Sequence, residues 1–226
     1  HHKFRPTKWF IEGDIRGCFD NIDHEVLLTI LSRDIHDGRL LELIRKGLKA
    51  GVMEEWEYKP TCSGTPQGGI VSPILANIYL HELDTYVEEV LIPQYTRGDK
   101  RERSPEYHEV SYRLDRARKR GDKEAARHLE QRMRSMPSKV TDDPGFRRLT
   151  YVRYADDFIL GFAGTKAEAE TIKAAIGTFL RETLHLELSS EKTLITHARD
   201  EHAKFLGYAV SMHHADHKTS RRKDSG

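Results

Sequence analysis

The chain has 226 residues, enough to close a hydrophobic core as one large domain or two small ones. Charged residues make up 32%, with 37 Lys+Arg against 36 Asp+Glu; taken whole, a net charge of +1 speaks against a surface coated in basic charge for nucleic acid. No apolar run approaches the roughly 20 residues of a membrane span, no signal peptide opens the chain, and Cys18 and Cys62 lack CxxC or Cys/His spacing, so an intracellular protein without a zinc site or disulfide framework is expected.

Residues 8–15 read as an apolar strand ending on an acid, Asp14, followed by a compact turn and an Asn21-x-Asp23 helix start. Residues 24–34 and 38–49 carry apolar positions at helical spacing, with Asp37 as N-cap and Gly51 as a stop. Residues 52–59 alternate as one strand. Residues 60–72 form a loop rich in Gly, Pro, Ser and Thr, ending in Ser72-Pro73 as cap and first helical residue. A long amphipathic helix follows from 73 to about 92, through Ile74, Ile78, Leu83, Val87 and Leu91.

Composition then changes. Residues 97–148 hold 16 Lys/Arg against 10 Asp/Glu, leaving 21 against 26 elsewhere, so the near-neutral total sums two unlike parts. Ser104-Pro105 and Gly121-Asp122 mark two helices of a hairpin with few large apolar residues: Leu114, Leu129 and Met133. Residues 149–155 and 158–163 read as two apolar strands joined by Asp156-Asp157. Thr165-x-x-Glu168 is a capping box opening a helix to about Leu184; 185–196 and 203–211 read as short strands, and 213–226 is a polar, basic tail whose His213-His214-x-x-His217 is not read as a metal site.

A two-residue hairpin loop favours Asn-Gly or Asp-Gly, and Asp-Asp satisfies it poorly. Two carboxylates about 4 Å apart repel by about 1 kcal/mol in water and about 4 at an effective dielectric of 20, so a positive group is expected at this tip. Asp14 ends the other clearly apolar strand. Side-by-side strands would bring Asp14 to Asp156 and Asp157, an oxygen-only site suited to Mg²⁺ and to two-metal phosphoryl transfer. An exposed turn with solvated acids is the alternative.

Tyr154-Ala155-Asp156-Asp157 resembles the YxDD motif of reverse transcriptases. Residues Gly13 to His24 (GDIRGCFDNIDH) resemble the family's first catalytic block, Gly64 to Pro73 (GTPQGGIVSP) its PQG block, and Lys192-Thr193 and Phe205-Leu206-Gly207-Tyr208 its last two. Five blocks in order across residues 9–208, with alanine in YADD, are similar to group II intron-encoded reverse transcriptases and maturases. The fold this implies is α+β: a palm with a mainly antiparallel sheet, helices packed on one face, and an inserted basic helical hairpin. It divides the chain into a first palm part at 1–96, the insertion at 97–148, a second palm part at 149–212 and the tail at 213–226. Missing fingers and thumb segments would flank it, so that the isolated fragment polymerises poorly.

The resemblance implies an RNA-directed DNA polymerase acting on an RNA template, a DNA primer and deoxynucleoside triphosphates. The complete protein would also bind intron RNA and assist splicing, in a bacterial cytoplasm or an organelle. Two Mg²⁺ ions, replaceable by Mn²⁺, would be held by Asp14 and Asp156, with Asp157 nearby and the Ile15 carbonyl as a further ligand. Arg16, Gly17, Cys18 and Phe19 would line the nucleotide, with Phe19 as a steric gate against a 2′-hydroxyl, a role compatible with ordinary core packing. Pro66, Gln67 and Gly68 would approach the nucleotide or template, and Phe205 to Tyr208 would form the primer grip. Lys192 would serve the pyrophosphate, or is merely solvated, and Tyr154 would pack beneath the tip. An RNA-binding maturase with little polymerase activity and a retron or diversity-generating reverse transcriptase are the alternatives. A nucleotide cyclase leaves the PQG block unexplained.

Overall fold

Strand β1 (Trp9–Asp14) is the centre of the architecture, because its neighbours on both sides complete a four-stranded sheet. The computed structural model describes residues 6–50, 52–54, 57–59, 64, 71–140 and 142–212. β4 (Arg148–Tyr154) and β5 (Asp157–Ala163) form an antiparallel hairpin, β5 pairs antiparallel with β1, and β6 (Ile195–His197) closes the other edge. The sheet is antiparallel throughout, within a mixed helix and strand fold.

Side-chain alternation along β1 and β5 sorts the sheet into two faces. Ile11, Phe158, Leu160 and Phe162, with Leu149 and Tyr151 of β4, join one core with the helices α1 (His24–Ser32), α3 (Ser72–Tyr86) and α7 (Lys166–Thr183). Phe10, Glu12 and Asp14 alternate with that set and lie on the other face. There β7 (Ala203–Phe205) packs on β1 and β5 and pairs with β8 (Tyr208–Val210).

Local chemistry starts and stops these elements. Asp23 accepts from the N–H groups of Glu25 and Val26 to cap α1, and Asp37 accepts from Arg39 to cap α2 (Gly38–Lys49). Thr165 and Glu168 form the reciprocal capping box of α7. α3 starts one residue earlier than expected, with Val71 at the cap position and Pro73 in the first turn, where its missing N–H costs nothing. Its buried stripe is Leu75, Ala76, Tyr79, Leu80 and Leu83, while Ile74 is exposed. The helix continues through a π-helical turn, Val87–Leu91, into α4 (Ile92–Gln94).

Two expected strands are corrected. Residues 52–59 form an antiparallel pair, β2 (Val52–Glu54) and β3 (Glu57–Lys59), because alternation in sequence is blind to a reversal of chain direction. Within 185–196 only Ile195 and Thr196 belong to a ladder; Leu188 makes a single bridge to Ile15.

The chain divides into two compact units, one of residues His1–Thr96 and Arg148–Ser211, the other centred on Arg97–Arg147. In the second, α5 (Pro105–Arg120) and α6 (Lys123–Ser135) form a hairpin. Ser104 accepts from Tyr107 N–H, Gly121 takes the left-handed φ of 76° that ends α5, and Asp122 accepts from Ala125 N–H to start α6. Its small core is Leu114, Ala117 and Ala126, with Ala125, Leu129 and Met133 against it. Among the described residues no helix is long and apolar enough to cross a membrane. The tail at 213–226 lies outside the described residues.

Candidate active site

The register of β1 on β5 sets Asp14 directly across from Asp157. Packing enforces it: the ring of Phe158 lies over Gly13, where an added Cβ would stand 2.0 Å from the Phe158 Cζ. The tip of the β4-β5 hairpin is Ala155-Asp156, not Asp156-Asp157 as expected. Asp157 is the first residue of β5, paired with Tyr154, and Ala155 takes a left-handed φ of 53°. A one-residue shift thus separates the two acids, with Asp156 on the turn and Asp157 on the ladder.

The positive groups expected here are Arg153 and Lys192. Arg153 Nη1 donates to the Ala155 carbonyl at 2.8 Å and to Asn77 Oδ1 at 3.1 Å, while Nε and Nη2 form a fork with Asp84 of α3 at 2.8 and 2.5 Å. Tyr151 donates to the same carboxylate at 2.9 Å. Burial opposes the charge of Arg153, yet hydrogen bonding and attraction to Asp84 outweigh it and raise its pKa; burial and Asp84 likewise push the Tyr151 phenol up. This half-buried network holds the turn from below.

Lys192 Nζ lies 3.2 Å from Asp14 Oδ1 although its side chain is largely exposed. Its segment is pinned beside it: Ser189 N–H donates to the Asp14 carbonyl at 2.8 Å, Thr193 N–H to Ser189 at 2.9 Å, and Lys173 Nζ to the Thr193 carbonyl at 2.5 Å. Burial, then the charges of Asp156 and Asp14, raise the pKa of Asp157, with Lys192 opposing. Asp157 therefore senses both of the other carboxylates. Among the described residues, however, no three His, Cys, Asp or Glu side chains form a ready-made metal cage.

After Asp14 the chain passes through buried Ile15 and exposed Arg16 to Gly17, whose φ of 52° opens the 3₁₀ turn Cys18–Asp20. Asn21 Nδ2 ties this turn by donating to the carbonyls of Arg16 and Gly17. The Cys18 side chain is buried; desolvation, then Asp156, push its thiol up to about 12, so it is a neutral filler beneath the tip. Phe19 is half-buried against the core. Gly64, at a φ of 89°, donates its N–H to the Ile22 carbonyl at 2.9 Å, and its carbonyl lies 2.6 Å from Nε2 of buried His24. A Cβ there would stand 2.6 Å from the Phe19 carbonyl oxygen. Pro66, Gln67 and Gly68 lie outside the described residues.

Phe205, Leu206, Gly207 and Tyr208 form the β7-β8 turn, in which Leu206 and Gly207 have φ of 52° and 78°, the paired positive values of a tight hairpin. Tyr208 is 75% exposed. Tyr154, expected beneath the hairpin tip, is instead 66% exposed, because alternation along β4 sends Arg153 inward and its neighbour outward. Sequence reasoning missed Arg153, Asp84, Glu12 and His24; an acid within the apolar run of β1 was the available signal for Glu12.

Residues 1–96 and 121–210 match the family described as reverse transcriptase (RNA-dependent DNA polymerase). The group II intron-encoded protein LtrA of Lactococcus lactis subsp. cremoris is 43% identical over 217 residues, spanning 93% of this chain and 36% of that protein. An uncharacterized 91 kDa protein in the cob intron of Schizosaccharomyces pombe is 40% identical over 210 residues, 92% of this chain and 26% of that one. The chain thus spans about a third or less of the length of these relatives. In fold it resembles apo telomerase from Candida tropicalis, with a TM-score of 0.53 at 13% identity over 93% of this chain and 31% of that one. The chain belongs to the reverse transcriptase family, of the group II intron-encoded type.

Proposed function

We propose that the chain is the catalytic palm of an RNA-directed DNA polymerase, adding deoxynucleotides to a primer 3′-hydroxyl on an RNA template. The observation that carries this is Asp14 in cross-strand register with Asp157, with Asp156 on the adjoining turn. The donor set fits divalent ions, since it is all carboxylate, and its crowding raises Asp157 despite Lys192. Asp14 and Asp156 would hold Mg²⁺, Mn²⁺ serving in its place, with Asp157 and the Ile15 carbonyl alongside. Such ions, when bound, favour the attacking hydroxylate and the leaving pyrophosphate.

The protein's own groups orient and select. Arg153, locked by Asp84, holds the Ala155 carbonyl and hence the turn bearing Asp156. Gly17 and Arg16 offer an exposed surface to the nucleotide, beside the half-buried Phe19 ring that would exclude a 2′-hydroxyl. Lys192, 3.2 Å from Asp14, would neutralise the pyrophosphate. The tip at Leu206 and Tyr208 would receive the primer end, and Gln67, with Pro66 and Gly68, would approach the nucleotide or template. Asp156→Asn in the complete protein should abolish primer extension while leaving RNA binding nearly intact; retained synthesis would refute the assignment.

Intron RNA is the second partner this reading implies, with splicing assistance in the complete protein, supported by the intron-encoded relatives. The family match is interrupted at 97–120, which includes α5. Helical spacing puts Tyr112, Arg113, Arg116, Lys119 and Arg120 on one exposed face of α5, opposite buried Val110, Leu114 and Ala117, with Arg116 over the Tyr112 ring at 5.8 Å. That face would meet RNA phosphates. Removing Arg116, Lys119 and Arg120 together should flatten the log-log salt dependence of RNA binding by about 0.7 per lost contact, and an unchanged slope would exclude the face.

A further inference from the structure

Glu12 is a carboxylate at 6% exposure within an apolar strand, and a buried acid is costly unless its oxygens are hydrogen-bonded. Its partners come from the opposite end of the sequence. Lys204 N–H donates to Oε2 at 2.7 Å, and the Thr196 hydroxyl donates to Oε1. Its own N–H donates to the Leu194 carbonyl at 2.9 Å.

The β7-β8 hairpin explains why Lys204 needs this acceptor. Phe205 and Tyr208 flank a two-residue turn, so they are the pair that exchanges hydrogen bonds. The next pair, Lys204 and Ala209, does not, and the Lys204 N–H is directed away from β8. It finds Glu12. Two residues further along the same face of β1 is Asp14, about 7 Å away at strand rise. An apolar side chain would fill the same space but let the hairpin slide; a carboxylate that accepts one particular backbone N–H sets its register.

We propose that Glu12 is a positioning residue that fixes the Ala203–Val210 hairpin, and with it a primer 3′ end resting on its tip, relative to Asp14. This rests on the polymerase reading above. Glu12 touches neither substrate nor reacting atoms. It acts through Lys204 and Thr196.

The test is single-turnover primer extension by the complete protein on an RNA template, with active-site titration, a nucleotide concentration series and thermal melting. Glu12→Gln can still accept from Lys204 and donate to the Thr196 oxygen, so its rate should stay within about twofold of the unsubstituted protein. Glu12→Leu, of similar size, strands both donors; its rate per active enzyme should fall about ten- to a hundredfold, with half-saturation by nucleotide and duplex affinity held within about twofold. If Glu12→Leu does not fold, Thr196→Val, which removes one donor, should slow the rate by about threefold or more. The proposal is overturned if the variants lose melting temperature or active fraction while the rate per active enzyme is unchanged, or if only nucleotide half-saturation rises. Absence of extension by the unsubstituted protein would instead overturn the polymerase reading.

Discussion

Asp84→Ala removes the carboxylate that locks Arg153 under the turn bearing Asp156. The Arg153 side chain is 10% exposed and that of Asp84 21%, so the fork between them is shielded from water. Truncating Asp84 removes two acceptors from Arg153 and the carboxylate to which the Tyr151 phenol donates, leaving a guanidinium uncompensated. Breaking a fully buried pair from one side costs about 3–5 kcal/mol and a surface pair is worth roughly 0–1, so this half-buried fork should cost about 2–3. Arg153 would keep the Ala155 carbonyl and Asn77 but lose what orients its plane, so the turn bearing Asp156 should loosen and the extension rate per active enzyme should fall. Urea unfolding of the complete protein should show a midpoint lower by about 1 M or more. Adding Arg153→Met removes the stranded charge, and the double variant should be more stable than Asp84→Ala alone. A loss below about 1 kcal/mol with an unchanged denaturant slope would show that the pair behaves as a solvated one and would refute the argument.

Gly13→Ala would drive a Cβ into the Phe158 ring and should cost about 1–3 kcal/mol in urea unfolding, partly recovered by Phe158→Leu; a neutral effect would mean the ring moves freely. In metal-free protein, carboxyl NMR should find Asp157 titrating above the usual carboxylate range, higher still in Lys192→Ala and lower in Asp14→Asn. Because the folded state then binds more protons than the unfolded one, this group's contribution to stability falls as pH rises from the ordinary carboxylate value through the raised one. Asp143 has the opposite sign. The Glu102 N–H, against the opposing effect of burial and aided by the Gly145 N–H, holds its carboxyl below the usual range, so its stabilisation is present above the ordinary value and lost as pH falls through the depressed one. Amide exchange at Glu102 and Gly145 should accelerate across that window, and Asp143→Asn should abolish the pH dependence.

Several features were legible because their causes are local. Asp23, Asp37, Ser104 and Asp122 start helices by accepting N–H groups two or three residues away, and Gly121 ends one through a backbone angle open to glycine. The apolar runs of β1, β4 and β5 and their terminal acids could be read the same way. The hairpin tip was misplaced by one residue because an alternating pattern does not say which residues reverse the chain. The stripe of α3 was misread at Ile74 because apolar spacing allows more than one helical face.

The sequence by itself determined the α+β class, the order of the sequence blocks, the family they belong to and the charge division between residues 97–148 and the rest. Tertiary structure decided which groups meet. Lys192 reaches Asp14 across 178 positions, Lys204 reaches Glu12 across 192, and Arg153 reaches Asp84 across 69. Those contacts follow from strand order and register, which assign each side chain to a face. A one-residue slip would exchange the faces, turning Asp14 and Glu12 into the helix core and Ile11 toward the hairpin. Burial of the apolar face forbids that slip, and it is what holds the acids together on the open one.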